Sequence, residues 1–335
     1  MTNYLASSPE TVTTRIHALS SVASRADALQ IRTILVPMDF SRESLRVLEY
    51  AIVLTRRFGA AMHVVHVRPS KEASAIERAD KLMLNYSDAI AFLQDRLADV
   101  QRNHGVDFSP DHCHVSSGRP FEEICKLARE IDADLIALPT RGHSGLKRVV
   151  LGSTAERVIR YAPCPVLIPR GKPYKAAVAN LSARSDIKIR KILVPVDFSE
   201  SSVAGLRYAI FLAAKCKAAL HLFHAVYPHI DLVAQDRMSA NLLPVLEAAQ
   251  LTARSDMKEL KRRYIPKGMV CETEIRTGYP IDQICAQSDG PEIDLAVIST
   301  HGRTGFRHAL IGSVAEHVAR YAECPVMVVP SKPRT

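Results

Sequence analysis

The sequence predicts an α/β protein made of two tandem doubly wound parallel-sheet domains, and three observations carry that prediction. The chain repeats itself: residues 32–44 and 190–202 are identical at nine of thirteen positions, and residues 140–166 and 300–326 at fourteen of twenty-seven. Within each copy, short apolar runs rich in β-branched residues alternate with longer segments of helical period, the pattern of parallel strands covered on both faces. Finally, 335 residues with 47% hydrophobic and 24% charged content are enough for two ordinary cores.

In the first copy, "TILVPMDF" is the first strand, followed by Ser41 as a helix cap and a helix with Leu45, Leu48, Ala51 and Ile52 on one face. "AMHVVHV" is the second strand, with a long helix through Ile90 and Leu97 after it. "CHVSSG" is the third strand, Pro120 opens a helix through Ile124 and Leu127, and "ADLIALPT" is the fourth strand. "GSTAERVIRYA" is a helix and "CPVLIP" the fifth strand. The second copy follows through "RKILVPVDF", "ALHLFHAV", "CETEIRTG", "IDLAVIST", "GSVAEHVARYA" and "CPVMVVP". Its offset is 158 at Asp39/Asp197 and His66/His224 but 160 at Gly118/Gly278, so it carries two extra residues between those points. The expected organisation is a flexible leader (1–30), a first domain (31–170), a polar linker (171–188), a second domain (189–330) and a short tail (331–335).

Composition narrows the function classes. No apolar run approaches the roughly 20 residues of a membrane-spanning helix, so no membrane role is expected. The leader lacks the charged start and apolar segment of a secretion signal; Arg15 and Arg25 among serines suit a transit peptide, whereas Glu10 and Asp27 count against one. Seven cysteines form no closely spaced pair, and Cys125/Cys285 and Cys164/Cys324 recur at matching places, as small core residues of a cytoplasmic protein would. The net charge of +9 comes without a basic stripe interleaved with aromatics, and "KELKRR" (258–263) reads as one exposed helical face, so nucleic acid is not an expected partner.

In an open parallel sheet, ligands collect outside the carboxyl ends of the strands where the winding reverses. Two segments of each copy lie there. One is the end of strand one, with Pro37 and Asp39 (Pro195 and Asp197). The other follows strand four, where Gly142 and Gly302 permit a close backbone approach and Gly152-Ser153 and Gly312-Ser313 begin a helix. A helix N-terminus presents free N–H groups and a positive dipole end, which suits phosphate. The plainer alternative is that the glycines serve turns and the serines only cap helices.

Together, "VPxDFS", the "GxP" before the third helix and the run Gly, nine residues, Gly-Ser, ending in "CPV", resemble the universal stress protein family over nearly all of residues 31–330. The resemblance implies flavodoxin-like, Rossmann-like sheets in strand order 3-2-1-4-5, packed as an internal pseudo-dimer that can pair further as a homodimer. It implies ATP, with or without Mg2+, as the ligand. Asp39 and Asp197 would then lie against the nucleoside, and the backbone of Val67 and Ala225 against adenine. Gly142, Gly152, Ser153 and Thr154, and Gly302, Gly312, Ser313 and Val314, would hold the phosphates. The family's full pattern is Gly, two residues, Gly, nine residues, Gly, Ser or Thr, and its first glycine is absent here: Ser299 stands there in copy two and Pro139 in copy one, which makes copy two the better site.

The implied function is a stress-response switch with an unnamed protein partner, showing at most weak ATP hydrolysis or autophosphorylation. Against it stands an adaptor that kept the fold and lost the ligand. A third reading is a zinc hydrolase using His63, His112 and His114, since His63 and His66, three apart on a strand, point to opposite faces and do not share one site. No G-x-x-x-x-G-K-[ST], G-x-G-x-x-G or G-x-S-x-G motif is present, so P-loop, dinucleotide and esterase readings have no support.

Overall fold

The computed structural model describes residues 29–68, 91, 94, 95, 98, 109–139, 151–170, 189–227, 242–290, 292–301 and 311–331. Ile31–Thr335 is one compact unit that contains both repeats. Repeat one runs β1 (Thr33–Pro37), α1 (Arg42–Phe58), β2 (Ala61–Arg68), β3 (Cys113–Ser117), α2 (Pro120–Glu130), β4 (Leu135–Ala137), α3 (Ser153–Tyr161) and β5 (Val166–Ile168). Repeat two runs β6 (Lys191–Pro195), α4 (Glu200–Cys216), β7 (Ala219–Val226), α5 (Leu242–Tyr264), β8 (Cys271–Thr277), α6 (Pro280–Ser288), β9 (Leu295–Ser299), α7 (Ser313–Tyr321) and β10 (Val326–Val329). The expected helix through Ile90 and Leu97 falls mostly outside the described residues, although 91, 94, 95 and 98 are helical. The leader and the linker lie outside them as well, apart from residues 29 and 30.

The strand order is β3-β2-β1-β4-β5-β10-β9-β6-β7-β8. Each half therefore has the order 3-2-1-4-5 that the resemblance implies. What the sequence did not predict is that the halves form one ten-stranded sheet. β5 and β10 pair antiparallel, with Val166 opposite Val328, Leu167 opposite Met327 and Ile168 opposite Val326, while the other pairings are parallel. Alternation along the strands splits the core. Leu35, Val65, Ile136, Val166, Leu193, Ala296 and Val326 pack under α2, α3, α6 and α7 in one cluster that spans both repeats. Their neighbours Leu135, Leu167, Leu295 and Met327 meet Tyr50, Leu54, Phe58 and Leu212 of α1 and α4 on the other face.

Strand starts are fixed by a device present in both halves. The buried Asp294 accepts the N–H groups of Arg190 (2.7 Å) and Lys191 (3.2 Å), and Asp134 accepts those of Arg32 (2.8 Å) and Thr33 (3.0 Å). A carboxylate thus satisfies the first donors of the neighbouring central strand. β4 is shorter than "ADLIALPT" predicts and two residues shorter than β9. The cause is Pro139, which lacks an N–H and constrains Leu138, where repeat two has Ser299 paired with Val329.

The two halves are also tied by Arg170, just beyond β5. Its guanidinium donates to the carbonyls of Arg320 (3.0 Å), Ala322 (3.1 Å) and Ala319 at the C-terminal end of α7. These are carbonyls that a helix end leaves without intrahelical partners, and the cation also complements the negative end of the dipole. Beside it, Arg320 pairs with Glu316 (2.9 Å) and reaches Glu156 of α3 (3.9 Å). On the opposite face Arg57 donates to the Lys215 carbonyl (3.2 Å), and Phe58 stacks on Phe211. Arg170→Met is expected to lower unfolding stability by about 1.5–3 kcal/mol, the range for hydrogen bonds to a charged group, in urea denaturation with an unchanged m-value.

Candidate functional site

The strand-one motif builds the same turn twice. Met38 donates its N–H to the Val65 carbonyl (2.8 Å), and Val196 donates to Phe223 (2.8 Å), so the chain stays on its β2 or β7 neighbour beyond the strand end. Asp39 Oδ1 then accepts the Ser41 N–H (3.0 Å); Asp197 Oδ1 accepts both the N–H (3.0 Å) and the hydroxyl (2.6 Å) of Ser199. Ser41 and Ser199 in turn cap α1 and α4 by accepting the N–H groups of Ser44 and Ser202. Between aspartate and serine, Phe40 and Phe198 sit in left-handed conformation (φ 61° and 64°), which costs about 1–2 kcal/mol for a residue with a Cβ.

The offsetting contact comes from the strand-two histidines. The ring of Phe40 packs on His66, and that of Phe198 on His224, both at 4.6 Å between centroids. His66 Nδ1 lies 2.8 Å from the Met38 carbonyl and His224 Nδ1 2.7 Å from Val196. A carbonyl oxygen only accepts, so Nδ1 carries the proton in each. His66 and His224 therefore brace the turn, a role the sequence reading did not assign. The signal was present, because aspartate and histidine are 27 residues apart in both repeats.

Pro37 and Pro195 are buried, Asp39 and Asp197 half-buried, and Val67 and Ala225 are partly buried against the core at the carboxyl ends of β2 and β7. Strand four lies beside strand one in both halves, with Leu35 opposite Ile136 and Leu193 opposite Ala296. Pro37, Asp39 and Val67, and Pro195, Asp197 and Ala225, therefore share one end of the sheet. Gly142 and Gly302 lie outside the described residues. In repeat two the chain leaving β9 is tied to its return point: Thr300 accepts the Gly312 N–H (2.7 Å), and Ser299 Oγ donates to the His301 carbonyl (2.9 Å). The side chain of Ser299 is thus folded back onto its own backbone.

Helices α3 and α7 differ from α1 and α4 at their starts. Their N-caps are Gly152 and Gly312 in extended conformation, and neither start has a side-chain capping bond. Ser153 and Ser313 are the first helical residues and are exposed, with Thr154 and Val314 half-buried behind them. The serines therefore do not act as caps. In each repeat the helix after strand one is closed by a serine, and the helix after strand four has, among the described residues, no side-chain cap.

His63, His112 and His114 also come together, at the other end of β2. His63 Nδ1 is 3.0 Å from His114 Nε2, and its ring stacks on His112 (4.0 Å, 27°) and lies nearly parallel to His114 (5.3 Å, 13°). Near-parallel stacked rings keep their in-plane lone pairs from converging on one ion, and among the described residues no group of three or more His, Cys, Asp or Glu has metal-holding geometry. In repeat two, His221 meets Glu274 (3.0 Å) instead.

The Usp profile, described as "Universal stress protein family", matches residues 30–170 and again 188–330. The chain belongs to the universal stress protein family. A universal stress protein of Methanocaldococcus jannaschii is 31% identical over 147 residues, 43% of this chain and 84% of that protein. A putative universal stress protein of Staphylococcus aureus is 33% identical over 141 residues, 42% of this chain and 84% of its own. Each spans about one repeat. Among solved structures, a functionally unknown Pseudomonas aeruginosa protein aligns over 91% of this chain and 93% of its own (TM-score 0.63, 22% identity). A universal stress protein from Archaeoglobus fulgidus aligns over 91% and 100% (TM-score 0.58, 22% identity), so the two-repeat architecture is shared.

The histidine cluster makes the protein's stability pH-dependent. Burial first, then the neighbouring His112 and His114, push the His63 pKa down to about 4 from an ordinary 6.5. Burial and His112 lower His114 too, opposed by Glu130. The folded state favours the neutral rings, so their contribution is intact above about 6.5 and is lost as pH falls toward 4. The thermal midpoint of the wild type should drop over that window, and His63→Gln should flatten the drop.

Proposed function

We propose that this universal stress protein binds ATP or a related adenine nucleotide at the carboxyl ends of β6 and β9, and acts as a nucleotide-dependent switch toward a protein partner. The observation that carries the reading is the start of α7. Its N-cap is glycine and, among the described residues, it has no side-chain capping bond, whereas α4, which follows the neighbouring strand, is closed by Ser199. Open N–H groups at the positive end of a helix, beside the crevice between adjacent parallel strands, suit a phosphate group. In this reading Gly302, Gly312, Ser313 and Val314 hold the phosphates, with Mg2+ as counter-ion where present. Pro195, Asp197 and Ala225 line the nucleoside side, and Ser299 leaves room because its side chain is turned back. Pro37, Asp39, Val67, Gly142, Gly152, Ser153 and Thr154 form the corresponding, weaker site of repeat one, beside the Pro139 ring. A switch requires the nucleotide to favour one conformation over another. Location in the cytoplasm and pairing into a further homodimer belong to the same proposal.

The adaptor reading has Pro139 and the carboxylates' engagement in the turns in its favour. Calorimetric titration of MgATP separates the two readings. One site per chain is expected, abolished by Gly302→Val and weakened at least tenfold by Asp197→Ala, with Gly142→Val close to wild type. No heat of binding, together with no nucleotide released from the purified protein on denaturation, favours the adaptor.

A further inference from the structure

At the same end of repeat two, Tyr227 and Tyr279 pack together with ring centroids 4.1 Å apart and planes tilted by 32°. Tyr227 directly follows β7, two residues beyond Ala225. Tyr279 belongs to the Gly278-Tyr279-Pro280 turn between β8 and α6 and is 59% exposed. The turn is held firmly. Gly278 donates its N–H to the Val226 carbonyl (3.0 Å) at φ 144°, where any Cβ would also meet Gln283 Nε2 at 2.8 Å. Tyr279 caps α6 with Pro280 at the first helical position. Repeat one has no such pair: the matching residues are Pro69 and Arg119, and Arg119 is engaged with Glu122 (3.2 Å). The exposed ring of Tyr279 thus lies tilted on the half-buried ring of Tyr227, two large rings together on a surface where single apolar residues are the rule.

We propose that the Tyr227–Tyr279 pair is the wall on which the planar base of the nucleotide stacks in repeat two. The inference rests on the nucleotide reading above and adds the element that selects the base. A backbone segment at Ala225 reads a base along its edge, whereas an aromatic ring holds it by its face, so the two contacts are complementary. A stacking surface favours the large π-face of a purine and contributes nothing to binding of the phosphates alone. Repeat one lacks the rings, so any ligand there is held by its phosphates.

The test compares ATP with inorganic tripolyphosphate on the full chain, by calorimetry and by tyrosine emission, which is unobscured because the chain has no tryptophan. Expected is about tenfold weaker ATP binding by Tyr279→Ala, tripolyphosphate binding within about twofold of wild type, and recovery of ATP affinity in Tyr279→Phe. Tyr279 is exposed, so these variants are expected to fold, and an unchanged thermal midpoint checks that they do. ATP binding by Tyr279→Ala equal to wild type overturns the stacking wall and leaves the nucleotide reading standing. An equal loss for ATP and tripolyphosphate also overturns it, since the ring would then only hold the turn. Failure of the wild type to bind ATP removes both.

Discussion

The antiparallel pairing of β5 with β10 is the constraint on which the rest of the chain depends. Each half alone would end in a bare strand of apolar residues, an edge that invites pairing with another chain. Joining those two edges internally hides Val166, Leu167, Val326 and Met327, all nearly fully buried. The remaining edges of the sheet are then β3 and β8. β8 reads Cys-Glu-Thr-Glu-Ile-Arg-Thr, and its Glu272, Glu274 and Arg276 engage Lys191, His221 and one another. Charge on an outer strand is a common guard against further pairing, so the hydrophobic edge is the one placed inside.

The sheet order then fixes where chemistry is possible. With strand one between strands two and four, the end of strand one has to turn away sharply, and the turn's groups need partners. The Asp-Phe-Ser sequence supplies an acceptor, a ring and a cap, and the strand-two histidine supplies a donor to the carbonyl of Met38 or Val196 just before the aspartate. A left-handed phenylalanine is affordable there because its ring and the histidine cover each other. The result is a braced turn at the end of strand one, while the helix after strand four starts at a glycine with, among the described residues, no side-chain capping bond.

The repeat and the alternation of elements were legible in the sequence because each rests on local patterns: β-branched apolar runs, Gly-Ser before a helical period, and identical spacing in both copies. The junction was not, because "CPVLIP" and "CPVMVVP" look like the same strand, and a repeat does not say which edges meet. Nor was the grip of Arg170, whose repeat-two counterpart is Pro330; a single arginine among 44 basic residues has no local signature. The histidine brace was legible in principle through its constant spacing, yet on the same strand His63 read as a metal ligand. Only the facing of side chains separates His66, which turns to Met38, from His63, which turns to His114.

Duplication within one chain also removes a restriction that binds symmetric dimers. Two identical copies have to present the same residue at both equivalent places, whereas the tandem chain can carry Arg170 opposite Pro330, Pro139 opposite Ser299 and Arg119 opposite Tyr279. These differences are not scattered. Arg170 reaches from repeat one to the C-terminal carbonyls of α7, and the proposed phosphate site is the N-terminal end of that same nine-residue helix. Under the proposed function, an anion at one end and the guanidinium at the other would act on one helix dipole, so a shift of α7 would reach Arg170 and through it β5. In the proposed function, repeat two senses the nucleotide and repeat one is the surface it moves against, a division of labour that the asymmetric residues permit and that two identical halves would not.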